Sequence, residues 1–182
     1  IEAKEIAVEW TFNGTTGQNY TWEYDNTAKC PTASVNTGID GITIALNVSG
    51  GATNASDKAY IATAEMAAAN ANFVLTNTEH EFYIVRAKID VEVADLDLNA
   101  EIFTNGELPE LVLKGTAEQL GRIAWDDYVL RADQATYTWT FTPNDAQNYE
   151  TVTGEFTFTN IKEVAADGIE VSGNAVKNYI YG

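Results

Sequence analysis

The sequence predicts an all-β fold built as two tandem β-sandwich modules. Three observations predict it. Bulky side chains recur at every second position, turn-forming pairs separate the runs, and aromatic-rich strand series stand on both sides of residues 86–89. Alternation places one set of side chains in a core and the other in water, the pattern of half-buried antiparallel strands. Short strands at regular spacing belong to sandwiches and barrels.

Taken in order, Val8, Trp10 and Phe12 share one face and Glu9 and Thr11 the other. Tyr20, Trp22 and Tyr24 alternate with Thr21 and Glu23, and Ile42, Ile44, Leu46 and Val48 alternate with Thr43, Ala45 and Asn47. Tyr60 to Met66 and Glu81 to Val85 read as strands, and Lys88 to Val93 opens another series. Tyr137, Trp139 and Phe141 alternate with threonines, as do Val152, Gly154, Phe156 and Phe158 with Thr153, Glu155, Thr157 and Thr159. β-Branched and aromatic residues fit a pleated, half-buried surface. Asn13-Gly14, Asp40-Gly41, Gly50-Gly51, Asn105-Gly106 and Pro143-Asn144-Asp145 supply the turns. Helix is expected only as single turns, one in the Ala-rich stretch Ala64 to Asn72 and one at Thr116 to Leu120, with Thr116 as N-cap.

These readings divide the 182 residues into a first module over 1–87, a second over 88–164 and a tail over 165–182, which is a further strand pair or the start of another element. Ala69-Asn70-Ala71-Asn72-Phe73 in the first module is echoed by Asp145-Ala146-Gln147-Asn148-Tyr149 in the second, an asparagine turn followed by an aromatic plug.

Ten basic residues face 27 acidic ones, giving a formal net charge of −17. The first module holds four basic and ten acidic residues, the second five and fifteen. Such a surface repels phosphate backbones and anionic membranes, so neither nucleic acid nor direct membrane insertion is expected. The same charge confers solubility. With Cys30 alone, no internal disulfide can form. No stretch approaches the roughly 20 apolar residues of a membrane span. The opening Ile1-Glu2-Ala3-Lys4 reads as the interior of a longer protein whose targeting segments lie elsewhere.

The phrase from Thr136 through Phe141-Thr142-Pro143-Asn144-Asp145-Ala146-Gln147-Asn148-Tyr149, with Gly121-Arg122-Ile123-Ala124-Trp125 upstream, resembles bacterial Ig-like surface-protein repeats over about residues 88–162. The Tyr24-Asp25 step, the Pro31-Thr32-Ala33 strand, Gly50-Gly51, Asn72-Phe73-Val74-Leu75 and the exit Phe82 to Lys88 are similar to MBG-type modules over about residues 4–88. Asn26 stands where Gly often follows Tyr-Asp in that family. The resemblance implies two immunoglobulin-like sandwiches in a bacterial extracellular or cell-surface protein, serving as spacer, presenting scaffold or adhesive stalk beside neighbouring domains. It carries no catalytic residues across.

Asp95-Leu96-Asp97-Leu98-Asn99 opens like a calcium loop, but the sixth position is Ala100 and the twelfth Gly106, so a solvated strand face is expected. Asp126, Asp127 and Asp133 would suit acid–base work only if they converge, and a polar turn after a buried Trp is the plainer reading. His80 lacks the spaced partners of a zinc site, and with Cys30 it would have to meet in space to form a nucleophile pair. Lys114 and Lys162 would need burial beside an Asn and an acid to form an isopeptide crosslink. The sequons at Asn13, Asn19, Asn47 and Asn54 reflect composition. Gly50-Gly51 lacks the Lys-Ser/Thr of a phosphate loop, and no cofactor is expected. Trp10, Trp22 and Trp139 fall on core faces. Trp125, Tyr128 and Tyr149 are the aromatics left as candidates for binding a glycan or a host or cell-surface protein.

Overall fold

A computed structural model describes residues 2–12 and 20–164 of the chain. The fold is all-β with several sheets, and packing divides it into two units, Ile1–Ile89 with Asp145–Glu150, and Asp90–Asn144 with Thr151–Gly182. The sequence reading assigns residues 145–150 to the 88–164 module; their packing places them in the first unit. The predicted tail, with its Tyr179-Ile180-Tyr181 ending, lies outside the described residues, as do Asn13 and Asn19.

In the first unit, β1 (Lys4–Thr11) lies between β3 (Thr32–Val35), antiparallel, and β6 (Phe73–Thr76), parallel, with Lys4 opposite Phe73. The other sheet runs β2 (Thr21–Glu23), β7 (Glu79–Val85), β5 (Tyr60–Met66), β4 (Leu46–Ser49), and β2 runs parallel to β7. The alternation decides which faces meet. Ile6 and Val8 of β1, Trp22 of β2, Ala62 of β5 and Phe82 and Ile84 of β7 are buried, while Glu5, Glu9, Glu79 and Glu81 stay exposed. Trp22 meets Phe82 edge-on at 5.6 Å and Phe12 at 4.4 Å, so rings from both sheets share one core. Gly50 leaves β4 at φ +88°, where a Cβ would strike the Ile61 carbonyl, so the turn demands glycine.

Two expectations for this unit change. The run from Ile42 to Val48 forms a strand only from Leu46, because the buried Thr37 hydroxyl donates to the Ile42 carbonyl (2.9 Å) and accepts from the Ile39 N–H (3.2 Å), folding this stretch into a turn. The Ala-rich stretch is not helical. Ala64, Glu65 and Met66 pair with Val48, Asn47 and Leu46, so cross-strand pairing overrides the propensity of alanine. Beyond them Asn70 turns the chain, its side chain accepting from Asn72 N–H and its carbonyl from Phe73 N–H.

The second unit is built on the sheet β11 (Gly121–Trp125), β12 (Thr136–Pro143), β13 (Val152–Thr157). Two short pairs accompany it: β8 (Glu92–Val93) with β10 (Leu113–Lys114), antiparallel, and β9 (Ile102–Phe103) with β14 (Ile161–Lys162), parallel. Along β12, Tyr137, Trp139 and Phe141 are buried and Thr138 and Thr142 exposed, which is the predicted alternation. With Trp125 and Phe158 they form the aromatic centre, Phe158 lying 6.0 Å from Trp125 and 6.2 Å from Tyr137. The run opening at Lys88 is a strand only at Glu92–Val93. The predicted turn of helix is present as α1 (Ala117–Leu120), but Thr116 is αR and makes no side-chain cap.

Candidate functional site

The second unit carries an open groove of about 700 Å³ beside β11. Its floor is Ile123, Ala124 and Trp125; Leu108, Pro109 and Leu111 form a wall, with Glu107 and Glu110 the charged residues of the lining. Tyr128, 63% exposed, stands at the side.

Local chemistry fixes these parts. Trp125 is 5% exposed; its ring packs against Phe156 and Phe158, and its indole N–H donates to the Pro109 carbonyl at 2.9 Å, tying the wall to the strand. Beyond the strand, Asp127 Oδ1 accepts from the Val129 N–H (2.8 Å) and Oδ2 from the Arg131 guanidinium (2.6 Å), a turn that leaves Tyr128 and Val129 outward. The Arg131 bond, and then the Val129 N–H, hold the Asp127 carboxyl below the usual carboxylate range. Asp126 is held low as well, by Thr140, whose hydroxyl donates at 2.6 Å, and by Thr138. Both acids therefore stay ionised at neutral pH and are engaged by different partners.

Of the three candidate aromatics, Trp125 and Tyr128 line the groove together, whereas Tyr149 belongs to the first unit, where its ring meets Tyr24 edge-on at 5.4 Å. That packing raises the Tyr24 phenol above its ordinary value, through lost solvation and then the neighbouring Tyr149, Asp145 and Asp25. Trp125 presents little surface to a ligand because its ring is packed among phenylalanines. Sequence reasoning passed over Glu107, Pro109 and Glu110, since a proline-bearing stretch without alternation gives no periodic signal.

The other candidates are dispersed. His80 lies between rings, 5.6 Å from Trp10 and 4.0 Å from Tyr20, while the Cys30 sulfur faces the Ser49 carbonyl at 3.9 Å. Burial pushes the Cys30 thiol up, away from the thiolate a nucleophile needs. The expected strand face at Asp95–Asn99 is instead a turn, with Asp97 accepting from the Asn99 and Ala100 N–H groups and Asp95 facing Lys114 at 3.9 Å. No group of three or more His, Cys, Asp or Glu residues placed to hold a metal ion occurs among the described residues. Lys114 pairs with Glu92 and Asp95 at the surface, and Lys162 with Glu101, so neither lysine has the burial an isopeptide crosslink requires. Asn47 is exposed on β4, and the Asn54 side chain accepts from Asn148. No helix among the described residues is long and apolar enough to cross a membrane.

No protein-family profile, curated protein or solved structure matches the chain.

Proposed function

We propose that the chain is a non-catalytic structural and adhesive part of a bacterial secreted or cell-surface protein, two immunoglobulin-like modules that set the distance and orientation of neighbouring domains. The observation that carries this reading is the parallel pairing of early with late strands inside each unit: β1 with β6 and β2 with β7 in the first, β9 with β14 in the second. Antiparallel neighbours drawn apart from one end lose their bonds one at a time. Parallel neighbours drawn by the start of one and the end of the other share the load across every bond at once. Such a module resists tension along the chain, as a stalk must. The acidic outer faces keep it hydrated and apart from other anionic surfaces.

Single-molecule pulling between handles at residues 1 and 182 tests this. Each unit is expected to give way in one abrupt event and to resist protease until it does. Smooth extension without discrete events would overturn the stalk reading.

A second reading, a carbohydrate- or protein-binding module, is favoured by the exposed Tyr128 beside the groove. Because the Trp125 ring is enclosed and its N–H is engaged, this reading leans towards a protein ligand rather than a sugar stacked on an open indole face. A glycan array separates the two ligand classes, since binding to any glycan would return the sugar to first place.

A further inference from the structure

The groove contains an unfinished sheet edge. In the antiparallel pair β11–β12, Asn144 N–H donates to the Leu120 carbonyl (2.8 Å) and Asp126 N–H to the Thr138 carbonyl (3.0 Å). Backbone groups alternate in direction along a strand, so Leu120, Arg122, Ala124 and Asp126 direct theirs at β12, and Gly121, Ile123 and Trp125 direct theirs away from it. The Gly121 N–H is taken by the Ala117 carbonyl at the end of α1. On that outer side no strand pairs with β11, and Ile123 and Trp125 have no backbone partner there among the described residues.

The wall beside this edge does not close it: no backbone hydrogen bond joins residues 107–111 to β11 among the described residues. Pro109 has no N–H to give, and its carbonyl is occupied by the Trp125 indole. The edge therefore opens onto a groove of mixed polar and apolar lining that holds Glu107 and Glu110 and, among the described residues, no basic residue; Arg122, the one basic residue of β11, does not line it. An open edge with adjacent side-chain pockets is the arrangement that accepts an added strand.

We propose that the β11 edge binds an extended peptide segment bearing Lys or Arg, which adds to the sheet as a strand and sets its cationic side chains towards Glu107 and Glu110. The charge selects this occupant over a second copy of the chain, whose net −17 would be repelled. The inference goes beyond the stalk reading and stands whether or not the units bear tension.

The test uses the full chain and a fluorescent nine-residue peptide alternating Lys and Thr with Val. Binding, read by anisotropy, is expected to fall at least tenfold for a peptide with Glu in place of Lys, and for one carrying Pro at central positions. In the protein, Ile123→Pro removes the outward N–H together with the side chain at the groove floor, so it is compared with Ile123→Ala, which keeps the N–H: circular dichroism should be kept in both, while binding drops at least tenfold for Ile123→Pro and by less than threefold for Ile123→Ala. Should Ile123→Pro fail to fold, the E107Q/E110Q pair decides, with an expected loss of at least fivefold and a weaker salt dependence. Equal binding of the Lys and Glu peptides, or full binding by the Pro-bearing peptide, would overturn the proposal. So would a tenfold gain on removing residues 165–182, which would make those residues the occupant, or a dimer in sedimentation that Ile123→Pro dissociates.

Discussion

The indole of Trp139 covers Gly154, its partner directly across β12 and β13, and occupies the space where any side chain at 154 would begin. A glycine inside a strand ordinarily weakens it. Here an aromatic residue on the neighbouring strand fills the gap and keeps water from the exposed backbone. Gly154→Ala should therefore destabilise the second unit by about 1–3 kcal/mol, the usual effect of overpacking a filled site. Gly154→Val should cost more. Urea unfolding followed by tryptophan fluorescence measures both, and a neutral G154A would show that the ring moves aside freely.

Trp139 and Trp125 should respond differently to loss of their ring nitrogen. The buried Trp139 Nε1 has no hydrogen-bond partner among the described residues, whereas Trp125 Nε1 serves the Pro109 carbonyl. Replacing each by Phe removes similar ring area. Trp125→Phe also removes a bond and leaves a carbonyl unserved, whereas Trp139→Phe removes an unsatisfied donor. W125F should be the more destabilising by about 1–2 kcal/mol in the same urea assay.

In the first unit Asn148 is buried and fully used. Its Oδ1 accepts from the Ala55 N–H at 2.7 Å, and its Nδ2 donates to Asp145 Oδ2 at 2.8 Å and to Asn54 Oδ1 at 3.2 Å. Asn148→Ala leaves the buried Ala55 N–H unpaired and should cost about 2–3 kcal/mol. Asn148→Asp keeps the acceptor but sets a second carboxylate against Asp145, so its defect should ease as pH falls towards 4. Thermal melts at pH 7 and pH 4 compare the two variants; an N148D as stable as the parent at pH 7 would contradict the network.

Asp25 gives an acid limb. Lys29 donates to it at 2.5 Å and Thr27 through both hydroxyl and backbone N–H, and these bonds lower its pKa from 3.8 to about 2. A folded-state pKa below the unfolded one means stability present above about pH 4 and lost as pH falls through about 2. Asp25→Asn should flatten that part of the stability–pH curve, measured by urea midpoints from pH 5 to 2, and leave the slope above pH 5 unchanged.

Much of this fold can be read in the residues, because burying large rings needs only the two-residue rhythm. Tyr137, Trp139 and Phe141 lie inward where the rhythm puts them, and Phe82 and Ile84 do the same in β7. Where side chains hydrogen-bond backbone, the rhythm fails. Thr37 binds the Ile39–Ile42 turn and detaches Ile42 from the predicted strand, and Asp97 bends a stretch whose alternation promised a strand face. The repeated asparagine-and-aromatic phrase holds only in part: Phe73 N–H returns to the Asn70 carbonyl and Phe73 is buried, but the second copy turns on Asp145, leaves Tyr149 half-buried and packs in the first unit. The groove was half legible. Trp125 and Tyr128 were named from type alone, whereas the free edge of β11 depends on which residues lie opposite, a property of pairing that no single run contains.

The parallel partnership of β1 with β6 also sets an order of events. Lys4 cannot find Phe73 until the intervening chain has been made, so the first sheet of this unit is completed late, and loop closure over so long a span slows folding. Until then β1 offers an unclaimed edge to any other nascent chain, the circumstance in which all-β proteins aggregate. Ten acidic residues against four basic ones in residues 1–87 give these half-made chains a common repulsion. The acidity thus protects the molecule before its fold exists, and salt that screens it should expose that interval first.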